Sequence, residues 1–498
     1  MLLITVAVFV ATILLWLYMR WLRLKRYWAV LGVPYVPPSP ILGNLTFLQR
    51  YNSGIWMKQI YNYSKSPYIG IWLFWKPALV VNSLEIGKRI LIRDAYVFRD
   101  RLVSSGTSDP IGKNNLFTLK GSDWTNLRRR LSAVFTASRL RNMHGLIVMK
   151  TKELLQRIDN DMVKNRSVNL RTVFTDYTTD VIGGASLGIV GDVTLTGEGV
   201  LRDVTRSFMV YDLLRGLSWV LMFFLPSWVH FFRLNAFPKK SIETLSKIFR
   251  EALAERGGYE RQVTETRDLL DALVKVKQEC KKENEDMPEE TLIAQAAVFI
   301  LAGFDTTATV LSWCIFELAF QPEIQETLYI ELQELQKGNK SSDTDIADLT
   351  NLEYLNAVIN ETLRKYVPMG WIDRVASQNY EIDSKLTITA GTPVCVNVIG
   401  INYDPDIHPD PNRFNPDRFI NNPDMNSIPL WTFGDGPRNC IGRRFAYINI
   451  RCGIAYIVNQ YKFRPLPSTP DPTRVQIEKH GMFYSPGEPI LIEFKKRN

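Results

Sequence analysis

The chain has 498 residues, 46% hydrophobic and 22% charged, with 29 glycines, 26 prolines and five cysteines, a balance that excludes a disordered tail, a collagen repeat and a disulfide scaffold. Its length suffices for a large core. Lys and Arg exceed Asp and Glu by nine, 60 against 51, which taken alone fits nucleic acid or an anionic membrane as a partner.

Residues 1–19, MLLITVAVFVATILLWLYM, carry no charge and would span about 28 Å as a helix, close to one hydrocarbon core. Arg20, Arg23, Lys25 and Arg26 follow at once and hold four of the nine excess charges, so nucleic acid loses its main support. A cleaved signal would place its cations first and small residues at the cut; here the cations come last, and Trp16, Tyr18, Met19 and Trp21 are bulky. Residues 1–20 therefore read as an uncleaved anchor, with the bulk of the chain cytosolic by the positive-inside rule. Five cysteines without regular spacing suit a reducing compartment. Residues 21–44 join the basic patch to four prolines between Pro34 and Pro40, which stiffen the chain into an extended hinge.

From about residue 45 to 365 apolar residues recur at three- and four-residue spacing, as in Arg141–Lys164 and Lys240–Glu255, and predict helices. Leu217–Phe232 is apolar but short for a span and broken by Pro226; it reads as a surface segment dipping into the bilayer, as a buried core helix or, least of the three, as a second span. After Asp286, Pro288, Glu289 and Glu290 a helical pattern runs unbroken to Gln321, and Gln295, Asp305 and Glu317 within it favour a core-crossing helix over a membrane span. Lys337–Thr344 predicts a polar surface loop. Beyond Pro368, pieces such as Leu386–Ile388 and Pro393–Ile399 predict short strands, before a last helix over Ile441–Gln460. The fold class is mainly α with a smaller β region.

The chemistry concentrates in Phe433-Gly434-Asp435-Gly436-Pro437-Arg438-Asn439-Cys440-Ile441-Gly442. Two glycines and a proline before a lone cysteine describe a tight turn, and a helix from Ile441 places Cys440 at its positive end, where a thiolate is favoured. Zinc is disfavoured, since the nearest other cysteine, Cys452, is twelve residues on and no histidine is near. A nucleophile paired with one of four histidines, or a single axial thiolate on haem iron, remains.

That run resembles the Phe-x-x-Gly-x-Arg-x-Cys-x-Gly signature of the cytochromes P-450 at every fixed position. The resemblance implies a cytochrome P-450 fold over residues 45–498 and haem b, with Cys440 as axial iron ligand, Phe433 near the sulfur and Arg438 on a propionate. Ala302-Gly303-Phe304-Asp305-Thr306-Thr307 resembles the family's oxygen-activation motif; it implies a kinked helix, small residues beside the porphyrin at Ala302 and Gly303, and proton delivery by Asp305 and Thr306. Glu361-Thr362-Leu363-Arg364 resembles the Glu-x-x-Arg pair, completed by Arg418 of Pro416-Asp417-Arg418-Phe419, where Asp417 replaces the commoner Glu. The implied role is structural. Trp124 and Arg128 match a Trp-x-x-x-Arg motif, and with Arg374 they are implied partners of the propionates.

Substrate contacts are expected at Phe117, Phe208, Leu214, Phe299, Met369, Met482 and Phe483. Phe98-Arg99-Asp100-Arg101, among other short matches, is similar to insect microsomal members of family six. The implied protein is a monooxygenase on the cytosolic face of the endoplasmic reticulum. It inserts one atom of O2 into a lipophilic xenobiotic, plant toxin or insecticide. Electrons come from NADPH through a separate reductase, with cytochrome b5 as a second partner. Arg128, Arg129, Arg130, Arg443 and Arg444 are candidate docking cations. Alternatives are a hormone or fatty-acid hydroxylase, a peroxide isomerase or dehydratase, and a non-catalytic haem-binding membrane protein.

Overall fold

A computed structural model describes residues 1–338, 346–422 and 428–497, so most of the loop expected at 337–344 lies outside the described residues. The helices that frame the site are α1 (Leu2–Lys25), α2 (Gly121–Ser132), α3 (Leu170–Leu187), α4 (Val200–Met209), α5 (Leu213–Phe224), α6 (Pro226–Phe232), α7 (Glu289–Phe320), α8 (Glu353–Lys365) and α9 (Arg443–Gln460). The strands are β1 (Tyr68–Leu73), β2 (Lys76–Val81), β3 (Val168–Asn169), β4 (Ile372–Val375), β5 (Tyr380–Asp383), β6 (Leu386–Ile388), β7 (Pro393–Val396), β8 (Tyr461–Pro465) and β9 (Leu491–Lys496). They make a four-stranded sheet in the order β1-β2-β7-β4, a three-stranded sheet β3-β9-β8, and the β5-β6 hairpin.

Among the described residues α1 and α7 alone are long and apolar enough to cross a membrane, and burial separates them. No residue of α1 is buried, whereas nearly every residue of α7 from Leu292 to Ala319 is. The polar residues that argued against a span are each paired with another part of the fold. Gln295 accepts from the Leu116 amide at 2.9 Å and donates to the Asn114 carbonyl at 2.8 Å. Asp305 pairs with Arg171 of α3, and Glu317 accepts from Lys365 at 2.6 Å and Tyr366 at 2.5 Å. Such pairing is what makes polar groups tolerable inside a core.

Three local expectations need correction. The helical reading of residues 45–365 missed the β1-β2 hairpin, in which Tyr68 pairs with Val81 and Leu73 with Lys76. All six β1 residues are buried, so the strand lacks the polar alternation that would have marked it. The hinge at 21–44 is packed and only partly extended: α1 runs on to Lys25 and Tyr27–Val30 form a further helical turn, Trp28 is fully buried with its indole donating to Ile71 at 3.0 Å, and the Gly70 amide donates to Pro34 at 2.8 Å. The final helix begins at Arg443 rather than Ile441. Leu217–Phe232 resolves into α5 and α6, which are buried on one face through Leu221, Met222, Phe224 and Val229 and exposed on the other.

Candidate active site

The turn before α9 is set by backbone geometry. Gly434 and Gly436 have φ of +67° and +65°, and a Cβ on Gly436 would sit 1.9 Å from the Leu91 carbonyl, so only glycine fits there. Asp435 caps the turn by accepting from the Gly436 amide, and the Cys440 amide donates to the Phe433 carbonyl at 2.7 Å. Cys440 thus lies ahead of the helix, with Gly442 as the cap residue, and its side chain faces a cavity of about 350 Å³. Burial pushes its thiol up, while the Gly442 amide and the Arg128, Arg101 and Arg443 guanidiniums pull it down. The thiol stays above its ordinary value, so these local donors offset burial only in part and the favoured thiolate expected at a helix start is not reached. The other cysteines, Cys280, Cys314, Cys395 and Cys452, are buried, and burial pushes all four thiols up.

A cluster of cations surrounds that end of the cavity. Arg438 lies 3.9 Å over the Trp124 ring and donates to the Arg99 and Leu119 carbonyls at 2.9 and 2.7 Å. Arg128 donates to Asn439 at 2.8 Å. Arg101 was not singled out from the sequence as a cofactor residue, yet it lines the cavity with its guanidinium 4.2 Å over the Phe117 ring. Buried Nε of Arg101 and Nη1 of Arg438 have no hydrogen-bond partner. Burial and Arg101 together push Arg438 and Arg374 down to about 9, as expected where cations crowd one another out of water. A thiol facing a cavity flanked by orphaned guanidinium donors fits a haem, whose two propionates would supply the missing acceptors.

Trp124, Arg128, Ala302, Phe433, Arg438 and Cys440 line the cavity as expected, and Arg374 does not: it is buried behind the wall, donating to the Asp373 carbonyl at 2.8 Å. Arg101 lines the cavity where Arg374 does not. Thr306 lines the cavity, its hydroxyl donating to the Ala302 carbonyl at 2.6 Å, but α7 continues through the motif as one helix. Asp305 faces the other way, where Arg171 holds its carboxylate. Gly303 borders the cavity, but its smallness also admits α3, since a Cβ there would meet the Ile182 side chain at 2.5 Å. Phe117, Phe208, Phe299, Met369, Met482 and Phe483 line the cavity; Leu214 lies outside, 71% exposed.

Below the thiolate loop, Glu361 is fully buried. It binds Arg364 at 2.7 and 2.9 Å, the Asn415 amide at 2.8 Å and Arg418 at 3.2 Å. Arg364 and Arg418 reach on to the carbonyls of Asn402, Pro411, Pro409 and Asp410. The Thr432 hydroxyl donates to the Leu363 carbonyl at 3.2 Å, joining α8 to the loop that carries Cys440. His408 sits fully buried beside this lock, with neither ring nitrogen hydrogen-bonded. Burial, Arg364 and Arg418 push it down to about 3, against a weaker opposite pull from Asp404.

Comparison with known proteins agrees with this geometry. Residues 33–494 match the family model described as Cytochrome P450. The chain is similar to Cytochrome P450 6k1 of Blattella germanica, 30% identical over 508 residues covering 97% of this chain and 96% of the relative. Likewise, Cytochrome P450 6a8 of Drosophila melanogaster is 31% identical, with 90% and 91% covered. The expected likeness to insect family-six members is borne out.

Two outcomes are expected. Arg101→Leu removes a buried donor to a propionate, worth about 1.5–3 kcal/mol, so haem should leave roughly 10- to 100-fold faster in a transfer assay to apomyoglobin. Unchanged transfer would remove Arg101 from the cofactor set. For His408, the folded value lies below the unfolded one of about 6.5, so its contribution is intact above that pH and is lost as pH falls toward 3. Linkage then gives a loss of about 2 kcal/mol at pH 5. His408→Leu should flatten the difference between urea midpoints at pH 7.5 and 5; equal acid losses in both proteins would refute it.

Proposed function

The chain belongs to the cytochrome P450 family and is a monooxygenase, and on that premise we propose that it oxidises a lipophilic xenobiotic or plant-toxin-like substrate with NADPH electrons from a separate membrane-bound reductase. The observation that carries this reading is Cys440 facing an apolar-walled cavity at the point where Arg101, Arg128 and Arg438 converge. Haem, when bound, supplies the iron at which dioxygen is activated. Cys440 would be its ligand, and the three arginines with the Trp124 indole would hold its propionates. Phe117, Phe208, Phe299, Met369, Met482 and Phe483 take the apolar substrate and exclude water.

Thr306 places a hydroxyl proton on the cavity wall, where it could be delivered to the site of chemistry. Its hydroxyl hydrogen, donated to the Ala302 carbonyl at rest, is free to turn toward the cavity. Asp305 can resupply that hydroxyl only by leaving Arg171, so its ion pair sets the resting orientation of the acid. The presence of both groups favours a monooxygenase over a peroxide isomerase or dehydratase.

Residues 1–20 serve as an anchor in the endoplasmic reticulum membrane and 21–44 as its packed connection, with 45–498 as the haem domain on the cytosolic side. Leu213, Leu214, Leu217, Trp228, Phe231 and Phe232 on α5 and α6 form an exposed apolar face, which supports a second contact with the bilayer. Exposed Arg129, Arg443 and Arg444 suit an acidic reductase, with cytochrome b5 as a second electron donor. Arg130 does not join them, because Glu279, Glu283 and Glu285 surround it.

The reduced carbon monoxide complex of the wild type should show the red-shifted thiolate Soret band, and Cys440→Ala should lose it. Arg443→Glu with Arg444→Glu should keep the band and lose most reductase-supported, substrate-dependent NADPH consumption at low salt. No such band in the wild type would overturn the assignment. In a chain lacking residues 2–19, replacing Trp228, Phe231 and Phe232 by Ser should release the protein from phosphatidylcholine vesicles; unchanged retention would refute the second contact.

A further inference from the structure

One cation of the cavity has no role in holding the cofactor. Arg215 of α5 lines the cavity on a wall made by Phe208, Met209, Trp219, Met222 and Phe237. Among the described residues, no hydrogen bond, ion pair or ring contact joins α5 or α6 to the loop from Trp431 to Gly442 that carries Cys440. Arg215 shares no hydrogen-bond partner with Arg128 or Arg438, which donate to Asn439 and to the Arg99 and Leu119 carbonyls, and the charged groups that act on it are Asp212 and Asp109.

Its own partners leave it under-used. The guanidinium lies 5.2 Å over the Trp219 ring and donates to the Ala236 carbonyl at 2.7 Å and the Phe208 carbonyl at 3.2 Å. Its Nε is buried and unpartnered. Of five N–H donors, two are used.

No carboxylate stands within ion-pair distance of it among the described residues. The two nearby acids are committed elsewhere. Asp109 accepts from the Ser105 hydroxyl at 2.8 Å and the Gly112 and Ala236 amides at 3.0 and 2.6 Å. Asp212 caps α5 by accepting from the Arg215 backbone amide at 2.8 Å. A charge kept against an apolar wall with spare donors is costly unless something pairs with it.

We propose that Arg215 is a specificity-determining residue that selects lipophilic substrates carrying one carboxylate, which it binds at the end of the substrate away from the reacting carbon. Recognition is a charge-assisted hydrogen bond from the donors not used by Ala236 and Phe208. The apolar remainder of the substrate then lies along Phe208, Phe117 and Phe299 toward Thr306, so oxidation falls on carbons remote from the acid. This rests on the proposed monooxygenase reading and narrows its substrate class.

The test is equilibrium dialysis of the full-length, haem-loaded protein with radiolabelled dodecanoic acid and with its methyl ester at pH 7.5. The wild type should bind the acid roughly 10- to 100-fold tighter than the ester. Arg215→Met should bring the two to parity, chiefly by weakening the acid, while Arg215→Lys should keep most of the preference. A merely structural arginine would lower both affinities together. Equal binding of acid and ester by the wild type overturns the proposal, as does a preference that survives Arg215→Met. If Arg215→Met fails to fold, the wild-type comparison and Arg215→Lys still decide, since parity in either removes the selection. Dialysis reads occupancy of the cavity, whereas the carbon monoxide band reads the thiolate, so failure of one is distinguishable from failure of the other.

Discussion

The carboxylate of Glu361 is the constraint around which the catalytic end of the molecule is organised. It is fully buried, and it is balanced by two guanidiniums and one backbone amide. An isolated buried carboxylate would be intolerable, so α8 and the segment from Pro409 to Arg418 must meet in one arrangement or not at all. Removing a single partner of such a set costs about 3–5 kcal/mol, because the remaining charges stay buried. The Thr432–Leu363 bond then transmits that fixed geometry to the cysteine turn. Asp417, where a longer acid is commoner, does not weaken the lock, since its work is done by Arg418.

A second organising element is α7, which reaches a different part of the fold at each of its polar residues. Gln295 holds the segment bearing Leu116 and Phe117 against the cavity, Asp305 fastens α3, and Glu317 fastens the end of α8 through Lys365 and Tyr366. Between these anchor points the helix presents Phe299, Ala302 and Thr306 to the interior. The apolar reaction space is thus framed by polar bonds lying outside it. This arrangement keeps water and competing hydrogen-bond partners away from the chemistry while fixing the walls.

Motifs carried by local geometry were legible in the sequence. The glycine turn before Cys440, the Glu361–Arg364 spacing and the Trp124–Arg128 spacing each depend on residues a few positions apart, and each stands where the pattern implied. Features set by contacts across the chain were not legible. Asp305 and Thr306 are neighbours on one helix and therefore point in different directions; which one meets the cavity depended on α3 offering Arg171. Arg374 sits in β4, paired with Val394 of β7, and does not line the cavity, whereas Arg101 does, a difference that motif spacing does not reveal. Leu214 and Phe208 share an apolar segment, but the bend between α4 and α5 turns one out and leaves the other in. The β1-β2 hairpin was lost because complete burial erases the alternation by which strands are recognised.

The distribution of sulfur has a further meaning. Four of five cysteines lie in the packed interior with their thiols pushed up by burial, and the fifth faces the cavity among guanidiniums. Burial pushes the Cys440 thiol up as well, so what sets it apart is access: it alone of the five is exposed, and the apo-protein presents a single reachable thiol despite its composition. Alkylating reagents slim enough to enter the cavity would address one atom, and that atom is the one haem would cover. Occupancy of the cofactor site is thereby convertible into a stoichiometric covalent count, one label for each empty chain.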